Sequence, residues 1–189
     1  FKGYNVYLKN NRLEMTMAHT APSNAITKVS LNDVPRNQWI QLTMAYDGSS
    51  TAKGLNLFID GSPLKMETQI DQLYKDIVFF SKDEPGLQIG AWHRGFGVKG
   101  GKLDDVSVYN RALTIFEIKV LAKKSNWDSI TKKARIDLTA EDISILKDYY
   151  NSVVNVNIKN ASLALQTQRK LLSDSTEYIK ELMVMQEMQ

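Results

Sequence analysis

The sequence predicts a mainly β chain, an antiparallel sandwich followed by an α-helical C-terminal segment. Three observations carry this reading. Residues 39–47 alternate, with Ile40, Leu42, Met44 and Tyr46 on one face and Gln41, Thr43 and Ala45 on the other. That is the period-two mark of a half-buried strand, and Leu55, Leu57 and Ile59 repeat it opposite Asn56, Phe58 and Asp60. No long helical pattern interrupts the chain before about residue 113, and beyond it the apolar spacing becomes helical.

The elements follow in order. Tyr4, Val6 and Leu8 alternate up to Asn10-Asn11, and Leu13, Met15 and Met17 then alternate with Arg12, Glu14 and Thr16. This pattern reads as a hairpin. Ala25 to Ser30 forms a shorter strand, and the loop Asp33-Val34-Pro35-Arg36-Asn37 leads to Trp39. Asp47-Gly48-Ser49-Ser50 ends one strand of the central pair and Gly54 opens the other. Asp60-Gly61 favours a turn of positive φ, where glycine carries no steric penalty. Asp71 to Tyr74 reads as a helical turn and Asp83-Glu84-Pro85-Gly86 as a loop. Leu87 to Trp92 and Lys102 to Tyr109 read as strands flanking a glycine-rich loop.

Helices come next. Thr114 and Glu117 have capping-box spacing, and Ile115, Ile118, Leu121 and Ala122 form an apolar stripe. Lys123 to Lys133 is a polar connector with Trp127 as its one large anchor. Thr139 opens a second helix with Ile143, Leu146 and Tyr150 on one face. A third helix spans about Asn155 to Lys180, where Ile158, Leu165, Leu172 and Ile179 recur every seven residues. That stripe reads as the packing face of a helical hairpin, with an intermolecular coiled coil as the alternative. The expected organisation is a sandwich over 1–124, a connector over 125–138, a helical hairpin over 139–181 and the start of a following domain at 182–189.

Composition narrows the function. The 189 residues are 43% hydrophobic, and no apolar run approaches the ~18 residues that a membrane-spanning helix needs. The net charge of +3 is spread along the chain, which argues against a nucleic-acid partner. The absence of cysteine excludes disulfides, thiolate zinc sites and cysteine nucleophiles within this chain. Both ends read as cuts through a longer protein.

Three segments resemble a known superfamily. They are Gln38-Trp39-Ile40-Gln41-Leu42 through Tyr46-Asp47-Gly48 with Leu55 to Gly61, then Leu87-Gln88-Ile89-Gly90, then Gly101 to Leu113 with Glu117-Ile118. Together they are similar to the concanavalin A-like lectin/glucanase superfamily in its laminin G-like branch, over about residues 1–124. Gly3-Tyr4, Pro22 to Ile26, Tyr46 to Ser50 and Gly95 to Gly101 further resemble the laminin G-like insert of large exported bacterial proteins. Those proteins carry a cytochrome-c-like region and flanking domains of unknown function. The resemblance implies an extracytoplasmic location, periplasmic or cell surface. Sandwiches of this superfamily begin with strands before the one read here at Tyr4, so the N-terminal strands are expected to be missing.

Candidate chemistry is sparse. Neighbouring Asp104 and Asp105 on a strand point to opposite faces and cannot flank one glycosidic bond. The resemblance implies possible calcium at a rim, with Asp47, Asp60 and Asp104 as candidate ligands, since a hard cation takes oxygen donors. Trp92, His93 and Arg94 form the candidate ligand-binding run: an aromatic face stacks on a sugar and polar groups bind its hydroxyls. The competing reading packs Trp92 at the sandwich end and pairs Arg94 with a carboxylate. Trp39 reads as a sandwich anchor, and His19 as a satisfied histidine rather than a metal ligand. The expected function is non-catalytic binding or scaffolding, with a carbohydrate or protein surface and neighbouring domains of the same polypeptide as partners. A purely structural insert is the alternative, and a glycoside hydrolase or lyase stands behind both.

Overall fold

The computed structural model describes residues 1–78, 86–90, 97, 100–123 and 127–179. Among the described residues seven strands form: β1 (Gly3–Lys9), β2 (Arg12–Thr20), β3 (Asn24–Ser30), β4 (Leu42–Tyr46), β5 (Leu55–Ile59), β6 (Ser62–Pro63) and β7 (Met66–Asp71). They make two antiparallel sheets, ordered β1-β2-β3-β7 and β4-β5-β6. Four α-helices follow among the described residues: α1 (Ile115–Leu121), α2 (Trp127–Thr131), α3 (Ala140–Tyr149) and α4 (Val156–Glu177). Helix accounts for 34% and strand for 26% of the described residues. The antiparallel sheets and helical C-terminal segment are as expected, with more helix than strand among the described residues.

Turn chemistry sets the registers. Asn10 and Asn11 adopt φ of 50° and 62° between paired Lys9 and Arg12. Asp60 and Gly61 adopt 48° and 75° between paired Ile59 and Ser62. Both are two-residue hairpin turns whose left-handed backbone matches the strand twist. With register fixed, Leu13, Met15, Met17 and Ile26 of one sheet meet Leu55 and Leu57 of the other in one buried core, joined by Leu73.

A buried lysine ties the sheets together. Lys28, in β3, is 8% exposed. Its Nζ donates to the carbonyls of Ala52 (3.1 Å) and Leu55 (2.7 Å), at the entrance to β5. Asp71 in β7 accepts from the Ala52 amide at 2.7 Å. Burial holds the lysine pKa below its ordinary value, opposed by the Asp71 charge.

A second, smaller core joins the helices. Phe116 of α1 is fully buried with Ile130 of α2 and Ile145 of α3. Trp127, the expected anchor of the connector, has its ring centroid 5.0 Å from those of both Phe116 (tilted) and Tyr149 (edge-on). α1 opens with the expected capping box at Thr114 and Glu117. Arg111 grips the same Glu117 through two hydrogen bonds, of 2.9 and 2.5 Å. That grip, with the Thr114 cap, holds the Glu117 carboxyl below the usual carboxylate range.

α4 docks by its polar side. Ser173 Oγ accepts from the Asp76 amide (2.9 Å), Lys75 Nζ donates to the Ile179 carbonyl (3.1 Å) and Arg169 donates to the Gly48 carbonyl (3.0 Å). His19 is satisfied, as expected: its Nδ1 lies 2.7 Å from the Asp76 carbonyl, so that nitrogen carries the proton. The stripe expected to pack a hairpin is exposed instead, with Leu172 67% accessible. At about 100° per residue the stripe lies about a quarter turn from Ser173, so docking on the sheets leaves it in solvent.

Three further expectations are corrected. Residues 102–109 form no strand, and neither do 87–90. An alternating pattern needs a neighbouring ladder, and Asp105 takes φ of 51°, which interrupts the extended run. Asp71 closes strand β7 instead of opening a helical turn, and Asn24 Oδ1 binds the amides of Tyr74 and Lys75 beyond it. Trp39 does not anchor the sandwich; it is 66% exposed on the segment before β4. Among the described residues no helix is long and apolar enough to cross a membrane.

Two outcomes are expected. Lys28→Ala orphans two buried carbonyls and lowers unfolding free energy by about 2–3 kcal/mol in a urea titration. For Glu117 the folded pKa lies below the unfolded one, so its contribution is complete above the ordinary glutamate value and is lost as pH falls through the folded pKa. Glu117→Gln therefore lowers stability by about 1 kcal/mol at neutral pH and flattens the acid limb of a pH–melting profile.

Candidate functional site

The two loops flanking β4 are each held by local hydrogen bonds. On the N-terminal side, the β1–β2 turn receives the chain: the Val34 amide donates to the Asn11 carbonyl (2.8 Å) and Asn11 Nδ2 donates to the Val34 carbonyl (3.3 Å). Arg36 Nε donates to Asn11 Oδ1. At the far end of the segment, Gln41 donates its amide to Asp60 Oδ1 (2.9 Å) and accepts from the Asp60 amide through its carbonyl (2.9 Å). Residues 34–41 are thus pinned at both ends, and Trp39 stands between the pins. A large aromatic ring on an immobilised loop presents an apolar face at little ordering cost.

On the C-terminal side, residues 47–54 fold into a tight polar loop. Asp47 Oδ1 accepts from the Ser49 amide (2.8 Å), and Ser49 and Thr51 share a hydroxyl hydrogen bond (2.9 Å). Tyr46 Oη accepts from the Ser50 amide (2.7 Å). A cleft of about 330 Å³ opens between this loop, the outer face of β4–β6 and residues 112–115. Lys53, Asn56, Pro63, Ile115 and Asp148 are among its walls.

The candidate residues fare differently. Trp92, His93 and Arg94 lie outside the described residues. Asp47 and Asp60 sit at opposite ends of the β4–β5 hairpin, about 20 Å apart at ~3.4 Å per residue. Asp47 caps its own turn, Asp60 Oδ1 accepts from the Gln41 amide across the hairpin, and Asp104 Oδ1 accepts from the Asp105 amide at 2.9 Å. The structure does not bring the three together: among the described residues no group of three or more His, Cys, Asp or Glu side chains could hold a metal ion. Exposed Trp39 is the aromatic that sequence reasoning assigned to the core. Its signal was positional, because it precedes the alternating run and the loop before it is polar.

A laminin G model of the concanavalin A-like lectin/glucanases superfamily matches residues 2–119. The chain belongs to this superfamily. The laminin G-like span therefore comprises both sheets and most of α1, and the Phe116 side chain carries it into the helical core. No curated protein matches the chain. A solved structure of an S-layer domain-containing protein from Clostridium thermocellum is similar, with 19% identity and a TM-score of 0.38, over 65% of this chain and 64% of that one. The chain thus spans less than two thirds of that structure, and a likeness at this level bears on neither ligand nor partner.

Gly54 is the pivot of the laminin G-like loop at 47–54. A Cβ there would lie 1.9 Å from Asp47 Oδ1 and 2.3 Å from Ser49 Oγ. Gly54→Ala is expected to break the Asp47 cap and lower stability by about 1–2 kcal/mol. Amide exchange read by NMR should accelerate at Ser49 while the β2–β3 amides stay protected.

Proposed function

We propose that this laminin G-like domain is a non-catalytic binding or scaffolding module of a larger exported bacterial protein, placed in the periplasm or on the cell surface. Its ligand in this reading is a carbohydrate. The observation that carries it is Trp39, 66% exposed and pinned between the Asn11 turn and Asp60. Sugar recognition combines such a ring with polar groups that fix hydroxyls, and Gln41 and Arg36 flank it in the chain. Trp92, His93 and Arg94, read from the sequence alone, are a second proposed ligand-binding run.

A second reading is favoured by α4. Its apolar stripe at Ile158, Leu165 and Leu172, continued by Ile179 beyond its end, is exposed while its polar side grips the Gly48 and Asp76 loops. A helix docked in this way suits a structural insert that positions neighbouring domains of the same polypeptide.

The test is isothermal titration of the chain against a panel of bacterial and plant oligosaccharides, in calcium and in chelator. At least one glycan should bind, and Trp39→Ala should weaken it about tenfold or more, the scale of a lost aromatic contact. Stability should stay within about 0.5 kcal/mol, as for an exposed side chain. A panel with no binder, or a Trp39→Ala protein that binds like its parent, overturns the carbohydrate reading.

A further inference from the structure

Every residue of α4 from Val156 to Gln168 is exposed. The later turns are the part that meets the β framework, through Arg169, Ser173 and Glu177, whose carboxylate lies 3.8 Å from His19. A helical arm of this length is marginal in water when nothing packs against it. Its surface is nevertheless rich in leucine. Leu165, Leu171 and Leu172 are each at least half exposed.

At about 100° per residue, α4 has one face without charge. The face is centred on Gln168, and Ala161, Ala164, Leu165, Leu171, Leu172 and Ser175 lie within about 60° of it. The charged residues of α4, Lys159, Arg169, Lys170, Asp174 and Glu177, lie about 100° or more from Gln168. The face also turns away from the docked side, since Gln168 stands about 140° round the helix from Ser173.

This face is complementary to itself. A two-fold axis at Gln168, between antiparallel α4 helices, brings residues equally spaced before and after Gln168 level with one another. Ala164 then lies level with Leu172 of the second copy, Leu165 with Leu171 and Ala161 with Ser175. Small residues beside large ones let two helix axes approach to about 8 Å, and no charge meets its like. Gln168 meets its own copy. A carboxamide both donates and accepts, so the two glutamines satisfy each other, and one polar pair in an apolar seam fixes the register. A second copy supplies all of these matches by symmetry, in the commonest closed form for a homo-oligomer.

We propose that α4 is a self-association helix, which pairs antiparallel with α4 of a second copy of this chain about a two-fold axis at Gln168. The structural reading gives this face to a neighbouring domain, whereas here its occupant is another molecule of the same chain. The carbohydrate reading is independent of it. The paired strip is about 33 Å long, from the 22 residues of α4. That is the small end of specific interfaces, so the dimer is weak and reversible.

Sedimentation equilibrium of the 189-residue chain across micromolar to millimolar concentration should show a reversible monomer–dimer equilibrium. The double variant Leu165→Lys, Leu172→Lys changes exposed side chains alone and should raise the dimer Kd about tenfold or more, the scale of lost apolar burial in the contact. The far-UV circular dichroism of its dilute monomer should match that of the parent. The chain has no cysteine, so a single introduced thiol reports its own neighbour. Gln168→Cys should oxidise to a covalent dimer, because a residue on the axis meets itself. Lys159→Cys, on the far side of the helix, should stay monomeric. A monomer at every concentration overturns the proposal and leaves the face to a neighbouring domain. A dimer whose Kd the lysine variant leaves unchanged, or equal cross-linking of the two cysteine variants, overturns it by placing the contact elsewhere.

Discussion

The buried ammonium of Lys28 is the constraint on which the rest of the laminin G-like region depends. It links β3 to the carbonyls of Ala52 and Leu55, and Asp71 closes the circuit on the Ala52 amide. A charge taken out of water is tolerated only when its donors are used and a counter-charge is near. Both conditions are met here by groups that belong to different sheets. The sheets are therefore held by a directional polar contact as well as by the apolar core of Met15, Ile26, Leu55 and Leu57. The placement of the 47–54 loop follows from it, and so does the carbonyl of Gly48 that Arg169 of α4 reaches.

The C-terminal helices are attached in two ways. α1, α2 and α3 share the Phe116 core, with Trp127 and Tyr149 packed as an aromatic cluster. α4 is held by side-chain hydrogen bonds to the ends of the β framework, at Asp76 and Gly48. Just beyond its C-terminus the Ile179 carbonyl receives the Lys75 ammonium, where the helix dipole favours a cation. A helix docked by polar groups leaves its apolar residues available, and α4 displays them over its whole length. The same economy is seen at Trp39. Its loop is fixed by backbone bonds to Asn11 and Asp60, so the ring takes no part in holding the fold.

These features together describe a domain whose rigid parts and whose displayed parts are different residues. Glycines, asparagines and aspartates at positive φ set the turns, and buried aliphatic residues set the cores. The tryptophan and the α4 stripe are left facing solvent. Such a division suits recognition or scaffolding, since a displayed group can be exchanged without cost to the framework.

Much of this was readable in the chain. Period-two alternation placed β1, β2, β4 and β5, because a half-buried strand must alternate. Asn10-Asn11 and Asp60-Gly61 announced their hairpins, because few residues accept a left-handed backbone. Thr114 with Glu117 and Thr139 with Asp142 announced helix starts, because their contacts lie within one turn. The Asn155 start and the length of α4 were equally local. What only the tertiary structure decided is which face each element buries and whether a pattern finds a partner. The α4 heptads read as a packing face, yet Ser173 and Arg169 dock the helix through its polar side. Residues 102–109 have the alternation of a strand without a neighbouring ladder, and Trp39 is apolar by type and exposed by position. Lys28 is buried because the fold brings the carbonyls of Ala52 and Leu55 to it. Alternation, turns and caps depend on neighbours in sequence, whereas burial depends on neighbours in space, and those are set by long-range pairing that no local spacing encodes.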